Sequence, residues 1–178
     1  MSASDGSMID IRYQWIVVEA KGVPFQLSRE AVAPVACIQP KPAIYRWNFL
    51  KKGTSVKAYI GETEDLRRRV RGYLNPGPSQ ETNKRINAEF RKAIQSGLTV
   101  QLETLSVEPI RINRVHVNTD HLWDLFLRKM LENFVLADFD AVNCELLSLA
   151  LNPLERRRRK AMKDNPLEEM FQKHGLAE

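Results

Sequence analysis

Residues 57–74 read KAYIGETEDLRRRVRGYL, and the rest of the chain is organised around this stretch. A short apolar run ends at Gly61. Thr63, Glu64 and Asp65 then supply the capping hydroxyl and the acids that are typical of a helix start. Apolar residues recur at helical spacing beyond that point, which predicts a helix with one apolar face. That face consists of Leu66, Val70, Tyr73 and Leu74.

The four arginines of this predicted helix do not share one face. Three of them fall opposite the apolar residues: Arg67, Arg68 and Arg71. Arg69 falls at the edge of the apolar stripe, three residues after Leu66 and four before Tyr73. A guanidinium on the core side of a helix needs an anion to meet, whereas a surface arginine does not. The alternative is that the stem of Arg69 packs on the core while its charged head stays in water.

Further motifs lie on both sides of this stretch. The tripeptide AIY ends at Tyr45, YIG begins at Tyr59 fourteen residues later, and Arg69 follows Tyr59 by ten residues. Downstream, Glu132 stands in the tripeptide LEN, and Asn143 comes after it. In this order the five pieces resemble the GIY-YIG nuclease family, and the resemblance covers roughly residues 43–143.

The match departs from the family pattern in two places. Ala43 stands where the family has its first glycine, and the separation of Tyr45 from Tyr59 is a few residues longer than is common. The resemblance implies one active site, formed by Tyr45, Tyr59, Arg69, Tyr73, Glu132 and Asn143.

The resemblance also implies a role for each residue. Glu132 is the expected metal ligand, because a lone carboxylate suits Mg²⁺ or Mn²⁺ that keeps most of its waters. Tyr45 is expected to take the proton of the attacking water, with Tyr59 positioning the water or the phosphate. Arg69 is expected to stabilise charge on the phosphate oxygens. A tyrosine with a pKa near 10 is a poor base at neutral pH, so Arg69 and the metal have to lower the pKa of Tyr45.

Structural alternatives exist for the same residues. Most tyrosines in strands are simply packed in a core, and Tyr73 is then only part of an apolar helix face. Glu132 could be an acid neutralised by Lys129 or Arg128 on its own helix. Asn143 could be an ordinary turn residue.

The composition describes a chain suited to nucleic acid. Its 178 residues include 27 Lys and Arg against 22 Asp and Glu, a net charge of +5, which favours an anionic partner such as DNA. Cys37 and Cys144 are far apart and do not cluster with histidines, which argues against a structural zinc site. No run is long enough to span a bilayer, so a cytoplasmic protein with reduced thiols and no membrane partner is expected. The sequence leaves the oligomeric state open.

Basic residues are the candidates for contacts with the nucleic-acid backbone. Such contacts position DNA and carry no sequence information. The alternative is that these charges form solvated helix faces. The candidates are Arg67, Arg68, Arg71, Lys84, Arg85, Arg91, Lys92, Arg156, Arg157, Arg158 and Arg159.

Periodicity predicts the remaining elements. Alternation predicts strands at residues 9–17 and 98–102. Residues 44–49 and 56–60 are interpreted as two strands joined through residues 51–54, and residues 108–117 are either a short strand or a loop. Residues 23–42 are interpreted as short helical or irregular. A second helix carries Ile86, Phe90 and Ile94 and stops at Gly97. A third, capped by Thr119 or Asp120, runs to about Ala137; it is apolar nearly all round and is predicted to be buried and central. Asn152-Pro153 and Asn165-Pro166 each open a predicted C-terminal helix.

Together these patterns predict an α/β fold, with a small, mainly antiparallel sheet flanked by helices. Residues 1–42 are interpreted as an N-terminal extension, 43–150 as a GIY-YIG-like core, and 151–178 as a basic helical tail. The expected function is a metal-dependent DNA endonuclease, either of restriction type or another small member of the family. The alternative is a non-catalytic nucleic-acid-binding module on the same scaffold, which the replacement of the first glycine by Ala43 favours.

Overall fold

A computed structural model describes residues 11–29, 34–112, 115–139 and 145–147 of the chain. The strands are β1 (Tyr13–Val17), β2 (Glu19–Ala20), β3 (Val23–Pro24), β4 (Gln26–Leu27), β5 (Ala43–Lys51), β6 (Thr54–Thr63), β7 (Thr99–Val107), β8 (Ile110–Ile112), β9 (Val115–Val117) and β10 (Glu145–Leu146). The α-helices are α1 (Leu66–Leu74), α2 (Glu81–Gln95) and α3 (Leu125–Asp138). Two 3-10 turns lie at Val35–Cys37 and Thr119–His121.

The main sheet has the strand order β1-β7-β5-β6-β10, and β4 also pairs with β7. Every pair in it is antiparallel except β10 with β6, which is parallel. The predicted α/β class with a mainly antiparallel sheet is therefore confirmed. Both β1 and β4 come from the segment before residue 43, so that segment contributes strands to the same sheet.

The β5–β6 hairpin lies between β7 and β10 in the sheet, and its strands agree with those predicted at residues 44–49 and 56–60. Its tip passes through Lys52 and Gly53, which have φ values of 50° and 83°. Positive φ at both central positions suits the twist of a two-residue hairpin, and glycine adopts it without steric cost. The pairing sets Tyr45 opposite Gly61 and Trp47 opposite Tyr59, so these four residues share one face of the sheet.

The two faces of the sheet are covered by different helices. On one face, Tyr45, Trp47 and Tyr59 pack into a single core with residues of α1 and α2. We call this the tyrosine face. On the other face, Ile44 and Ile60 pack into a second core with residues of α3. We call this the α3 face. Any side chain on β5 or β6 therefore meets one set of helices and not the other.

The structure also bears on three other sequence predictions. Strand β1 begins at Tyr13, and the earlier residues of the predicted strand, 9 and 10, lie outside the described part. The segment 23–42 contains two short strands besides its 3-10 turn, because a two-residue strand is too short for alternation to reveal. Residues 110–117 form a second hairpin, β8 with β9, which agrees with the strand alternative.

Both predicted helix caps are displaced. The cap of α1 is Asp65, whose carboxylate accepts the backbone N–H of Arg68 at 2.8 Å; Thr63 instead ends β6. Asn118 caps the 3-10 turn, and Asp124 caps α3 by accepting the N–H of Leu127 at 2.7 Å. The predicted caps at Thr63 and at Thr119 or Asp120 are therefore wrong. Each observed cap directly precedes the first residue of its helix, so its carboxylate can accept a backbone N–H of the first helical turn.

Helix α3 is not buried all round. Leu125 and Phe126 at its start are 57% and 81% exposed, and Trp123 just before its cap is 72% exposed. Leu131 and Val135, by contrast, are each 1% exposed and pack on the sheet. The prediction of a buried central helix is wrong, because a helix lying on one face of a sheet buries only one stripe of its surface.

Two other sequence predictions fall outside the described residues. Asn143 and the whole segment 151–178, with Arg156, Arg157, Arg158 and Arg159, belong to that part of the chain. Among the helices that are described, none is long and apolar enough to cross a membrane.

Candidate active site

Three tyrosine hydroxyls meet on the tyrosine face. Tyr45 comes from β5, Tyr59 from β6 and Tyr73 from the buried side of α1. The hydroxyl oxygens of Tyr45 and Tyr73 are 2.6 Å apart, and the Tyr73 hydroxyl donates to that of Tyr59 at 3.2 Å. The hairpin register and the helical spacing of Tyr73 thus bring three of the sequence-predicted site residues into one hydrogen-bonded group.

Gly61 explains how Tyr45 can lie so close to β6. A Cβ atom placed on Gly61 would lie 2.5 Å from the hydroxyl oxygen of Tyr45 and 2.8 Å from its Cζ. Those distances are shorter than any van der Waals contact, so no other residue fits without moving the ring. The glycine of the YIG motif is therefore required by the seat of the Tyr45 hydroxyl.

Arg69 joins the tyrosine group, as its position on the apolar edge predicts. Its Nε donates to the Tyr45 hydroxyl at 3.2 Å, and its guanidinium carbon lies 5.1 Å from the centre of the Tyr73 ring. Burial alone would lower the pKa of Arg69, but the tyrosine oxygens, Tyr45 first, raise it above its ordinary value. Arg69 is thus a permanent, half-buried cation. No carboxylate pairs with it within the described residues.

The other arginines of α1 are arranged less simply than predicted. Arg68 and Arg71 are exposed, and Arg68 pairs with Glu64 one turn earlier. Arg67 is half-buried, and its Nε donates to the backbone carbonyl of Ile38. The prediction that Arg67 faces solvent is wrong, because the turn at Val35–Cys37 packs against this side of α1, which helical periodicity cannot reveal.

The electrostatics of the tyrosines oppose one expected role. Burial raises the pKa of Tyr45 well above its ordinary value, and the lowering effect of Arg69 does not compensate. Burial raises the pKa of Tyr73 in the same way. The expectation that Arg69 brings the pKa of Tyr45 towards neutrality is therefore wrong for the groups of the protein itself, since desolvation of a phenolate costs more than one nearby cation returns.

Glu132 lies on α3, away from the tyrosine group. Its carboxylate contacts the Lys129 ammonium at 3.0 Å, which is the structural alternative predicted for it. The same ammonium contacts Glu62 at 3.0 Å, and Glu62 also pairs with the Nε of the buried Arg128 at 2.8 Å. Burial alone would raise the pKa of Glu62, but hydrogen bonds from Arg128 and Lys129 hold it below its ordinary value.

Glu62 shows how the two faces are related across β6. It follows Gly61 on β6, so its side chain points to the α3 face while the Tyr45 hydroxyl lies over Gly61 on the other. The tyrosine group and the Glu62–Glu132 pair are thus back to back across β6. The structure brings together Tyr45, Tyr59, Tyr73 and Arg69, and it places Glu132 on the opposite side of the sheet. Asn143 lies outside the described residues.

Glu62 was not among the residues predicted from sequence. The sequence does contain a signal for it. Glu62 directly follows YIG, and strand alternation puts its side chain on the other face of the strand from Tyr59 and Gly61. What the sequence did not indicate is the partner, because Lys129 is 67 residues away along the chain.

The acid pair is chemically suited to a cation. One ammonium nitrogen lies 3.0 Å from an oxygen of Glu62 and 3.0 Å from an oxygen of Glu132, so both carboxylates converge on a single positive charge. Carboxylate oxygens also suit a hard divalent ion, and Mg²⁺ is commonly held by one or two of them with water completing the shell. Among the residues that the structure describes, no three His, Cys, Asp or Glu side chains form a ready-made metal site.

The predicted DNA-contacting residues of α1 and α2 lie mainly at the surface. Lys84 is partly engaged, since its ammonium contacts Glu81 at 2.8 Å. Four others are exposed: Arg71, Arg85, Arg91 and Lys92. The outer surface of the two helices that cover the tyrosine face is therefore cationic.

No family model, no curated protein and no solved structure matches this chain. The residues and their geometry are consequently the ground on which its function is proposed.

Proposed function

We propose that the protein is a metal-dependent endonuclease that hydrolyses phosphodiester bonds in DNA. One observation carries the proposal: the half-buried guanidinium of Arg69 is held by Tyr45 and Tyr73, and no described carboxylate neutralises it. Charges taken out of water are normally paired. A cation for which the described residues supply no carboxylate is suited to an anion from outside, and a phosphate matches the planar guanidinium.

The surroundings of Arg69 support a phosphate rather than a small acid. The outer surface of α1 and α2 offers further cations, including Arg71 and Arg85, which could follow a nucleic-acid backbone. The order of the AIY, YIG, Arg69, LEN and Asn143 pieces resembles a family of nucleases, and the tyrosine group gathers the first three of them.

Two residues would hold the metal. Glu132, with Glu62 beside it, would bind Mg²⁺ or Mn²⁺ in place of the Lys129 ammonium. Such an ion, when bound, would supply Lewis-acid stabilisation of charge on a phosphoryl oxygen that reaches the α3 face. Arg69 binds the phosphate and stabilises charge that develops on it, Gly61 leaves room for Tyr45, and Tyr45 holds Arg69 in place.

A second candidate is a nucleic-acid-binding module that does not cut. It is favoured by Glu132, whose carboxylate is already neutralised by Lys129 and lies on the face opposite the tyrosines. In that case Arg69 and the exposed cations serve binding alone. A restriction-type role and a cytoplasmic location, where the free Cys37 thiol stays reduced, are part of the first proposal.

Cleavage of supercoiled plasmid with and without Mg²⁺ or Mn²⁺ tests the proposal. The wild type is expected to nick DNA only with metal. Arg69→Ala is expected to cut at least about 100-fold more slowly, the scale of one lost transition-state donor. The matched control is Arg71→Ala on the exposed side of the same helix, which should mainly weaken binding. Retained binding without metal-dependent cleavage would favour the second candidate.

A further inference from the structure

The hydrogen bonds of the tyrosine group run in one direction. The Nε of Arg69 is a donor, so the Tyr45 oxygen accepts. The Tyr73 hydroxyl donates to Tyr59. A phenol carries a single proton. Tyr73 has already used its proton, so the 2.6 Å bond between Tyr45 and Tyr73 must be donated by Tyr45. The order of donation is therefore Arg69 to Tyr45 to Tyr73 to Tyr59.

Tyr59, the last member of this series, has a hydroxyl proton that it does not donate within the tyrosine group. Tyr59 accepts from Tyr73, and no acceptor for its own proton occurs in the part of the chain that the structure describes. Exposure separates it from the other two as well: Tyr59 is 9% exposed, whereas Tyr45 and Tyr73 are fully buried. Of the three tyrosines, Tyr59 is thus the one that retains exposed surface.

We infer that the three tyrosines form a one-way donor relay, which starts at Arg69 and ends in a hydrogen bond from Tyr59 to a non-bridging phosphate oxygen. The inference rests on the proposed function and assigns roles within it. Tyr59 is a catalytic residue, because it touches the phosphate. Tyr45 and Tyr73 are positioning residues, which orient and polarise the Tyr59 hydroxyl.

Two physical arguments support donation over proton acceptance. Hydrogen bonds in series polarise one another, and this series begins at a full positive charge, which makes the terminal O–H a stronger donor. The other N–H groups of Arg69 add to it, so the group resembles an oxyanion-stabilising site. A tyrosine acting as base would instead have to exist as a phenolate, and burial raises the pKa of Tyr45. Burial therefore disfavours Tyr45 and Tyr73 as the base.

Three single tyrosine-to-phenylalanine variants test the relay, two of them within the tyrosine group and one at a tyrosine that lies elsewhere. Tyr59→Phe is expected to lower kcat by at least about 100-fold. Tyr73→Phe leaves the Tyr59 hydroxyl in place but unoriented, so kcat should fall by about tenfold while KM is kept. The control is Tyr13→Phe, because Tyr13 lies on the α3 face and donates to Asp138; its rate should stay within about twofold of wild type.

The double variant Tyr59→Phe/Tyr73→Phe separates positioning from mere packing. In a relay, Tyr73 acts only through Tyr59, so adding Tyr73→Phe to Tyr59→Phe should cost nothing further in kcat. If the two losses multiply instead, Tyr73 acts independently and the relay is overturned. Melting temperatures of all variants show whether folding is retained.

Binding of inorganic phosphate distinguishes failure of the relay from failure of the nuclease proposal. Phosphate titrated into labelled wild-type protein should shift the NMR signals of Arg69 Nε and Tyr59 Cζ, and Tyr59→Phe should weaken that binding. Shifts without any DNA cleavage would uphold the relay and reject the nuclease. Cleavage that is equally fast in Tyr59→Phe and Tyr13→Phe would uphold the nuclease and reject the relay. Neither shifts nor cleavage would reject both.

Discussion

The two faces of the sheet treat their charges differently. On the α3 face, Arg128, Glu62, Lys129 and Glu132 form a chain in which each charge has an opposite partner. On the tyrosine face, Arg69 is held by hydroxyls and an aromatic ring, and no described carboxylate neutralises it. Among the described residues, one arginine of this fold is therefore paired with a carboxylate, whereas the other is held by a hydroxyl and an aromatic ring alone.

The largest effect is expected for Glu132→Gln, which tests whether the charges of the α3 face are purely structural. If Glu132 is a metal ligand, Glu132→Gln should abolish Mg²⁺-dependent cleavage while the fold and DNA binding persist. Calorimetry with Mn²⁺ checks the same point without catalysis, because ion binding should disappear as well. If Glu132 is only the partner of the half-exposed Lys129, both cleavage and Mn²⁺ behaviour stay at wild-type values, and the α3 face is purely structural.

Gly61→Ala tests the contact between β6 and the Tyr45 ring. The new methyl would lie 2.5 Å from the Tyr45 oxygen, so the ring and with it Arg69 must move. We expect cleavage to fall by about 100-fold and unfolding free energy to fall by about 1–3 kcal/mol. Gly77→Ala is the control, since its nearest atom, in Gln80, is 3.6 Å away. Equal rates in the two variants would mean that the seat of Tyr45 does not matter.

Removing a cation from each face should give opposite balances of stability and activity. Arg128→Ala leaves the Glu62 carboxylate short of a partner and two backbone carbonyls without a donor, so unfolding free energy should fall by about 3 kcal/mol. Arg69→Ala leaves no described carboxylate without its partner, so the unfolding free energy should fall by less than about 1 kcal/mol. Denaturant unfolding measures both. Similar losses would show that Arg69 is paired as firmly as Arg128.

The pH dependence of stability should come from the α3 face. The folded-state pKa of Glu62 is lowered, so its pairing stabilises the fold above the ordinary glutamate pKa of about 4.3 and is lost as pH falls through the lower folded value. Urea unfolding between pH 7 and 3 should show this decline, and Glu62→Gln should flatten it. A decline that is unchanged in Glu62→Gln would have to be assigned to other carboxylates.

The smallest effect concerns the cationic surface of α1 and α2. Changing Arg71, Arg85, Arg91 and Lys92 to Ser should make the salt dependence of DNA affinity shallower, by about 0.9 for each phosphate that is no longer neutralised. The cleavage rate at saturating DNA and low salt should not change. If the salt dependence is unaffected, these side chains are a solvated surface and no more.

Local patterns predicted the parts of the fold that depend on neighbours along the chain. Two short runs joined through residues 51–54 were enough to predict the β5–β6 hairpin, because the two strands are adjacent along the chain. Helical spacing was enough to separate Arg69 from Arg68 and Arg71. It failed for Arg67, since its acceptor is a carbonyl 29 residues earlier.

The order of residues along the chain was sufficient to specify the hairpin, the helix after it, and the set Tyr45, Tyr59, Tyr73 and Arg69 that these two elements gather. Spacing decides such features because residues close along the chain have few ways to be arranged. Folding in three dimensions was needed to settle that Glu132 and Lys129 meet Glu62, that Phe126 is exposed, and that burial raises the pKa of Tyr45. Those outcomes depend on which distant surface covers a side chain and on how much water it excludes.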